Sequence, residues 1–102
     1  MNKEQAIIVE LIKNELIGVS TKLPNINTVT LIGSIIGNDF NTKSDIDLLV
    51  DFKEFNLNEF LLIERKLKKL TGRKIQIVIE NECSPLFFKL NPNKILIYKR
   101  ND

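Results

Sequence analysis

The sequence predicts an α+β protein, an α/β sandwich in which a small mixed central sheet is flanked by helices. Three observations predict it. Apolar residues recur at helical spacing at Ile8, Leu11, Ile12, Leu16 and Val19, and again at Phe60, Ile63, Leu67 and Leu70. Three short runs, residues 28–32, 45–52 and 74–79, have the length and apolar, β-branched content of strands. Helical and extended segments alternate along the chain, with connections of ordinary length.

In order, Asn2 and Gln5 form a capping box for the first helix, and Gly18 marks its stop. Residues 20–27, with Pro24 and two asparagines, connect it to the first strand, which runs straight into Gly33-Ser34. Residues 38–44 read as a loop. In the second strand Ile46, Leu48, Val50 and Phe52 share one face, while Asp45, Asp47, Leu49 and Asp51 share the other. Asn58 is expected to cap the second helix, which ends at Gly72. Ile75, Ile77 and Ile79 line one face of the third strand. Ser84-Pro85 opens a short helix to about Leu90, whose Phe87 and Phe88 are expected in the core. Asn91-Pro92-Asn93 breaks it, and residues 94–98 fit either a last strand or a helical turn.

The bulk properties bound what this chain does. Its 102 residues make one domain, 1–102, large enough to fold without staples. The formal net charge is +2, from 15 basic and 13 acidic side chains, which is too even to predict nucleic-acid or membrane binding by field strength. No apolar run reaches the ~20 residues of a membrane span, and the N-terminus is not a signal peptide. Cys83 is the only cysteine, so no intrachain disulfide forms, and a cytoplasmic setting is expected. There is no histidine. That removes a Ser-His-Asp triad, a His-ligated zinc and an imidazole base, leaving carboxylates, lysines, hydroxyls and a metal for chemistry.

Two features then stand together: Gly33-Ser34 at a strand end, and Ser44-Asp45-Ile46-Asp47 opening the next strand. Alternate residues of a strand project to one side, about 6.6 Å apart at the Cα atoms. Asp45 and Asp47 can therefore share a hard cation such as Mg²⁺, which takes oxygen ligands and leaves room for phosphate oxygens. A strand that ends in Gly-Ser and turns into a short helix presents free backbone N–H groups to an anion. Gly33 lets a phosphate approach the backbone, and Ser34 adds a hydroxyl donor. The aspartates sit on a strand whose other face is apolar, so that strand is expected to be central.

The string Gly33-Ser34-Ile35-Ile36-Gly37-Asn38, followed by Ser44-Asp45-Ile46-Asp47-Leu48-Leu49-Val50, resembles the signature of the polymerase-β-type nucleotidyltransferase superfamily. Length and layout are similar to its minimal nucleotidyltransferases, often encoded beside a HEPN-domain partner in toxin–antitoxin pairs. The resemblance implies the nucleotidyltransferase fold. It implies that Gly33 and Ser34, with Ser44, bind the nucleotide and that Asp45 and Asp47 bind Mg²⁺. The implied reaction moves a nucleoside monophosphate, AMP foremost, from a nucleoside triphosphate such as ATP to a hydroxyl, releasing pyrophosphate. In minimal members that hydroxyl can belong to a tyrosine of the HEPN partner. A homo-oligomer is also compatible with the sequence.

The chain departs from the family pattern in two places. Ile36, Gly37 and Asn38 stand where members commonly show a small residue, arginine and glycine. Asn38 can adopt the left-handed conformation of a glycine, but the arginine charge is absent. Gln76 occupies the third-strand position where relatives usually carry a third catalytic carboxylate. Glutamine offers a carbonyl oxygen to a metal but cannot act as a base. Glu80 shares the face of Gln76 but lies about 13 Å further along the strand. Two readings follow: a Mg²⁺-dependent nucleotidyltransferase, or a catalytically impaired homologue acting as a binding or antitoxin subunit. The basic run Arg65, Lys66, Lys68, Lys69, Arg73 and Lys74 reads as a solvated helix end, the alternative being a docking surface for an acidic partner or RNA.

Overall fold

Asn2 opens the structure as the sequence requires. Its side chain accepts from the Gln5 N–H at 2.8 Å while Gln5 Oε1 accepts from the Asn2 N–H at 2.9 Å, closing the capping box of α1 (Lys3–Gly18). The computed structural model describes residues 1–101. Seven main elements follow one another: α1, β1 (Ile26–Ile32), β2 (Ile46–Phe52), α2 (Leu57–Thr71), β3 (Ile75–Ile79), α3 (Pro85–Leu90) and β4 (Ile95–Lys99). Single 3₁₀ turns lie at Ser20–Lys22, Gly33–Ile36 and Glu80–Glu82.

The strands form one mixed sheet in the order β3-β2-β1-β4. β1 pairs antiparallel with both β2 and β4. β2 pairs parallel with β3, and α2 is the crossover that a parallel pair needs. β2 is therefore interior to the sheet, as its sequence predicts. Register settles which side chains are neighbours: Ile32 lies opposite Asp47 on one side, and Gln76 lies opposite Asp47 on the other.

One apolar cluster joins Ile8, Ile12 and Leu16 of α1, Ile63 and Leu67 of α2, and Val29, Leu31, Ile46, Leu48 and Val50 of the sheet. The two long helices thus cover the face of β2 that carries its even-numbered apolar residues. Thr30, Ile32 and Leu49 are also buried, on the opposite face by strand alternation. No described helix is long and apolar enough to cross a membrane.

Several expectations shift. Strand β1 starts at Ile26, and β2 starts at Ile46, so Asp45 is the loop residue immediately ahead of the strand. Asn56, rather than Asn58, caps α2 by accepting from the Glu59 N–H at 3.1 Å. Both asparagines fit the pattern; Asn56 wins because Glu59 must point inward. The Glu59 carboxylate is buried and accepts from the Asn25 N–H at 2.9 Å and from Asn25 Nδ2 at 2.7 Å. Gly72 ends α2 at φ +69°, as predicted, whereas the residue past α1 is Val19 and Gly18 needs no left-handed backbone. Leu11 is exposed. Residues Ile95–Lys99 form a strand, not a helical turn. Phe87 and Phe88 are only half-buried and stack edge-on at 5.6 Å, outside the main cluster. Adjacent residues of a helix point about 100° apart, so both rings cannot face one core.

Two substitutions test this assignment. Asn56→Ala is expected to cost about 1 kcal/mol in urea unfolding, the usual worth of an N-cap, while Asn58→Ala stays within about 0.5 kcal/mol. Leu67→Ala, at a fully buried position, is expected to cost about 2–5 kcal/mol.

Candidate active site

The site lies at one end of the two central strands. At the end of β1 the chain enters a 3₁₀ turn, with Gly33 at φ +74°, a conformation that penalises any side chain. A Cβ at Gly33 would collide with Asp47 Oδ2 and stand 3.3 Å from its Cγ. Gly33 is thus required for a reason the sequence does not show: the Asp47 carboxylate lies where a Cβ would stand. Its neighbour Ser34 is half-buried, and the Ser34 carbonyl accepts from the Gly37 N–H at 2.9 Å to close the turn.

Asp47 is the second residue of β2 and projects from the face opposite the helical core. Its pKa is raised above the ordinary aspartate value of 3.8, first by burial and then by the charge of Asp45. The two carboxylates are therefore near enough to oppose each other, although Asp45 precedes the strand. Gln76 is exposed and sits in register with Asp47 on β3. Glu80 lies beyond the end of β3, in a 3₁₀ turn. Among the described residues no group of three or more His, Cys, Asp or Glu side chains surrounds one point. The donor set is two carboxylates and the carbonyl of one glutamine.

That set fits Mg²⁺. The ion is commonly held by one or two carboxylates plus substrate phosphates, and a cation would offset both the burial and the Asp45 charge that raise the Asp47 pKa. The predicted site residues are distributed as follows: Gly33, Ser34 and Asp47 share one corner; Asp45 leads into it; Gln76 flanks it. Ser44 is spent on the loop itself, its Oγ accepting from the Asn41 N–H at 3.0 Å. Asn38 does not take the left-handed conformation, since among the described residues no side-chain-bearing residue has positive φ. Cys83 stays a protonated thiol, its pKa raised by burial and by Glu80 and Glu82.

Sequence reasoning missed two residues. Gln5 is buried and donates through Nε2 to the carbonyls of Ile35 at 2.9 Å and Gly37 at 2.7 Å, holding the turn that follows Gly33. Arg73, expected in a solvated run, donates through Nη1 to the carbonyls of Asn41 and Ser44, both at 2.9 Å. Gln5 carried a signal only as a cap. For Arg73 there was none, because its acceptors are backbone carbonyls about thirty positions away.

Comparisons with known proteins bear on the family and the fold. The family described as "Polymerase beta, Nucleotidyltransferase" matches residues 14–102. A protein of Methanocaldococcus jannaschii named "Putative protein adenylyltransferase" is 32% identical over 74 residues, which cover 72% of this chain and 76% of that one. In fold, the chain is similar to one in the complex of tri-AMPylated HEPN toxin with MNT antitoxin from Shewanella oneidensis, with a TM-score of 0.63 at 17% identity, covering 90% of this chain and 73% of that one. A Sulfolobus solfataricus structure described as "a putative nucleotidyltransferase" gives a TM-score of 0.56 at 23% identity, over 94% and 84% of the two chains. The fold and the Gly-Ser and Asp-x-Asp segments define a nucleotidyltransferase-type domain. This chain belongs to the polymerase-β nucleotidyltransferase family.

The raised pKa of Asp47 has a measurable consequence. A carboxyl whose folded pKa exceeds its unfolded value contributes stability below the unfolded pKa and loses it as pH rises through the folded pKa. Asp47→Asn is therefore expected to melt above the wild type at pH 7 without divalent cations. The gain closes as pH falls toward 3.8, the ordinary aspartate value. Thermal melts at both pH values check it, and equal differences at the two would contradict the assignment.

Proposed function

We propose that residues 1–102 act as one Mg²⁺-dependent nucleotidyltransferase domain that transfers AMP from ATP to a hydroxyl group, the acceptor lying on a HEPN-type partner protein. The observation that carries this reading is the approach of the Asp47 carboxylate to the Gly33 turn, an acid suited to a metal beside a turn backbone suited to phosphate. The name of the Methanocaldococcus relative and the fold likeness to a chain of the MNT–HEPN complex support the nucleotide and the partner.

Each residue has a part. The first amides of the Gly33–Ile36 turn and the Ser34 hydroxyl would donate to triphosphate oxygens, and Ser44 shapes the facing loop. Asp45 and Asp47 would hold Mg²⁺. When bound, the ion would neutralise phosphate charge and orient the triphosphate for in-line attack. The acceptor oxygen bonds to the α-phosphorus, the bond to pyrophosphate breaks, and the hydroxyl proton passes to solvent water. Gln76, in register beside Asp47, can orient the acceptor but cannot take that proton.

The same glutamine favours a second reading, an impaired homologue that binds nucleotide and partner as an antitoxin-like subunit without efficient transfer. One assay separates the two. Wild type, Asp45→Asn/Asp47→Asn and Gln76→Asp are each incubated with ATP labelled at the α-phosphate, Mg²⁺ and an extract containing the partner. On the first reading wild type labels a protein, the double variant is at least about 100-fold slower, and Gln76→Asp is faster than wild type by about 100-fold. Label from Gln76→Asp alone would overturn enzymatic function and establish the second reading.

A further inference from the structure

Arg73 sits in the connection between α2 and β3, and its side chain is only 12% exposed. One guanidinium ties three segments together. Nη1 donates to the carbonyls of Asn41 and Ser44, both at 2.9 Å. Nη2 pairs with Glu4 Oε1 of α1 at 3.2 Å. The guanidinium carbon lies 4.4 Å from the centroid of Phe40, so the aromatic face of the same loop backs the group. The Ser44 carbonyl belongs to the peptide whose nitrogen is that of Asp45. Holding this carbonyl fixes the peptide plane from which the first acidic residue projects.

The other half of the site hangs from the same helical turn. Gln5, next to Glu4, holds the Ile35 and Gly37 carbonyls while its own oxygen completes the cap of α1. The first turn of α1 thus reaches the phosphate-side turn through Gln5 and the acid-side loop through Glu4 and Arg73.

We infer that Arg73 is a positioning residue for Asp45, acting with the first turn of α1 as the clamp that sets the acid-side loop against the Gly33 turn. The inference rests on Asp45 being a metal ligand, as proposed above. Arg73 works by hydrogen-bond geometry rather than by charge. The planar fork of arginine spans two carbonyls and a carboxylate at once, which the single ammonium of lysine cannot do.

The test uses the full chain and Mg²⁺ alone, read by thermal shift across a Mg²⁺ titration. Outer residues that orient metal ligands typically contribute about 10–100-fold in affinity. Arg73→Ala and Arg73→Lys are both expected to raise the half-saturating Mg²⁺ concentration at least about tenfold. Asn56→Ala, which weakens the fold at a remote cap, keeps the wild-type value and controls for lost stability. Hydrogen exchange supplies a readout that needs no metal. In both Arg73 variants the Ser44 amide, bonded to the Asn41 carbonyl, should exchange at least about tenfold faster. The Gly37 amide, closed on Ser34, stays unchanged. Wild-type Mg²⁺ dependence in Arg73→Ala overturns the proposal, as does a fully functional Arg73→Lys. If wild type itself shows no Mg²⁺ response, the metal reading of the acidic pair fails, and exchange at Ser44 still decides whether Arg73 holds the loop.

Discussion

The position of β2 between an antiparallel and a parallel neighbour is the constraint on which the rest of the structure depends. Ile46, Leu48, Val50 and Phe52 are all buried beneath the two long helices. A slip of one residue would turn that set outward and bring the aspartates into the core, so the register is strongly specified. Once it is set, Asp47 must stand beside the end of β1 and opposite Gln76 of β3. Hydrophobic burial on one face of the strand thereby decides where the chemistry stands on the other.

The site is held at some cost to stability. Two carboxylates that oppose each other, one of them against a glycine in a left-handed conformation, are tolerated because the surrounding backbone is tied down. Gln5 and Arg73 bind four carbonyls of the two site loops between them. Neither loop carries regular strand or α-helix to hold its own shape.

Family membership and the acidic pair leave one chemical question at Gln76. The glutamine stands in register beside Asp47 and has neither the charge nor the basicity of a carboxylate. Two carboxylates suffice to hold a hard cation together with phosphate oxygens. On the proposed function, binding would rest on Asp45 and Asp47, and proton removal on whatever reaches the acceptor hydroxyl.

Local chemistry made much of this legible in advance. The capping box of Asn2 and Gln5, the left-handed stop at Gly72, the alternation along β2 and the spacing from Gly33-Ser34 to Asp45-Ile46-Asp47 all express short-range preferences or periodicity. They could be read without knowing what packs where. What those residues meet across the fold could not. Asn56 prevails over Asn58 because the Glu59 carboxylate closes on Asn25, a long-range pairing. Asp47 meets Gly33 because two strands pair, and Arg73 reaches Asn41 and Ser44 because α2 brings the start of β3 alongside the loop. Backbone carbonyls accept the Arg73 bonds, and a carbonyl leaves no trace in residue identity. The family and the acidic pair are therefore written in the chain, while the clamp that aims the pair exists only once the sheet has closed.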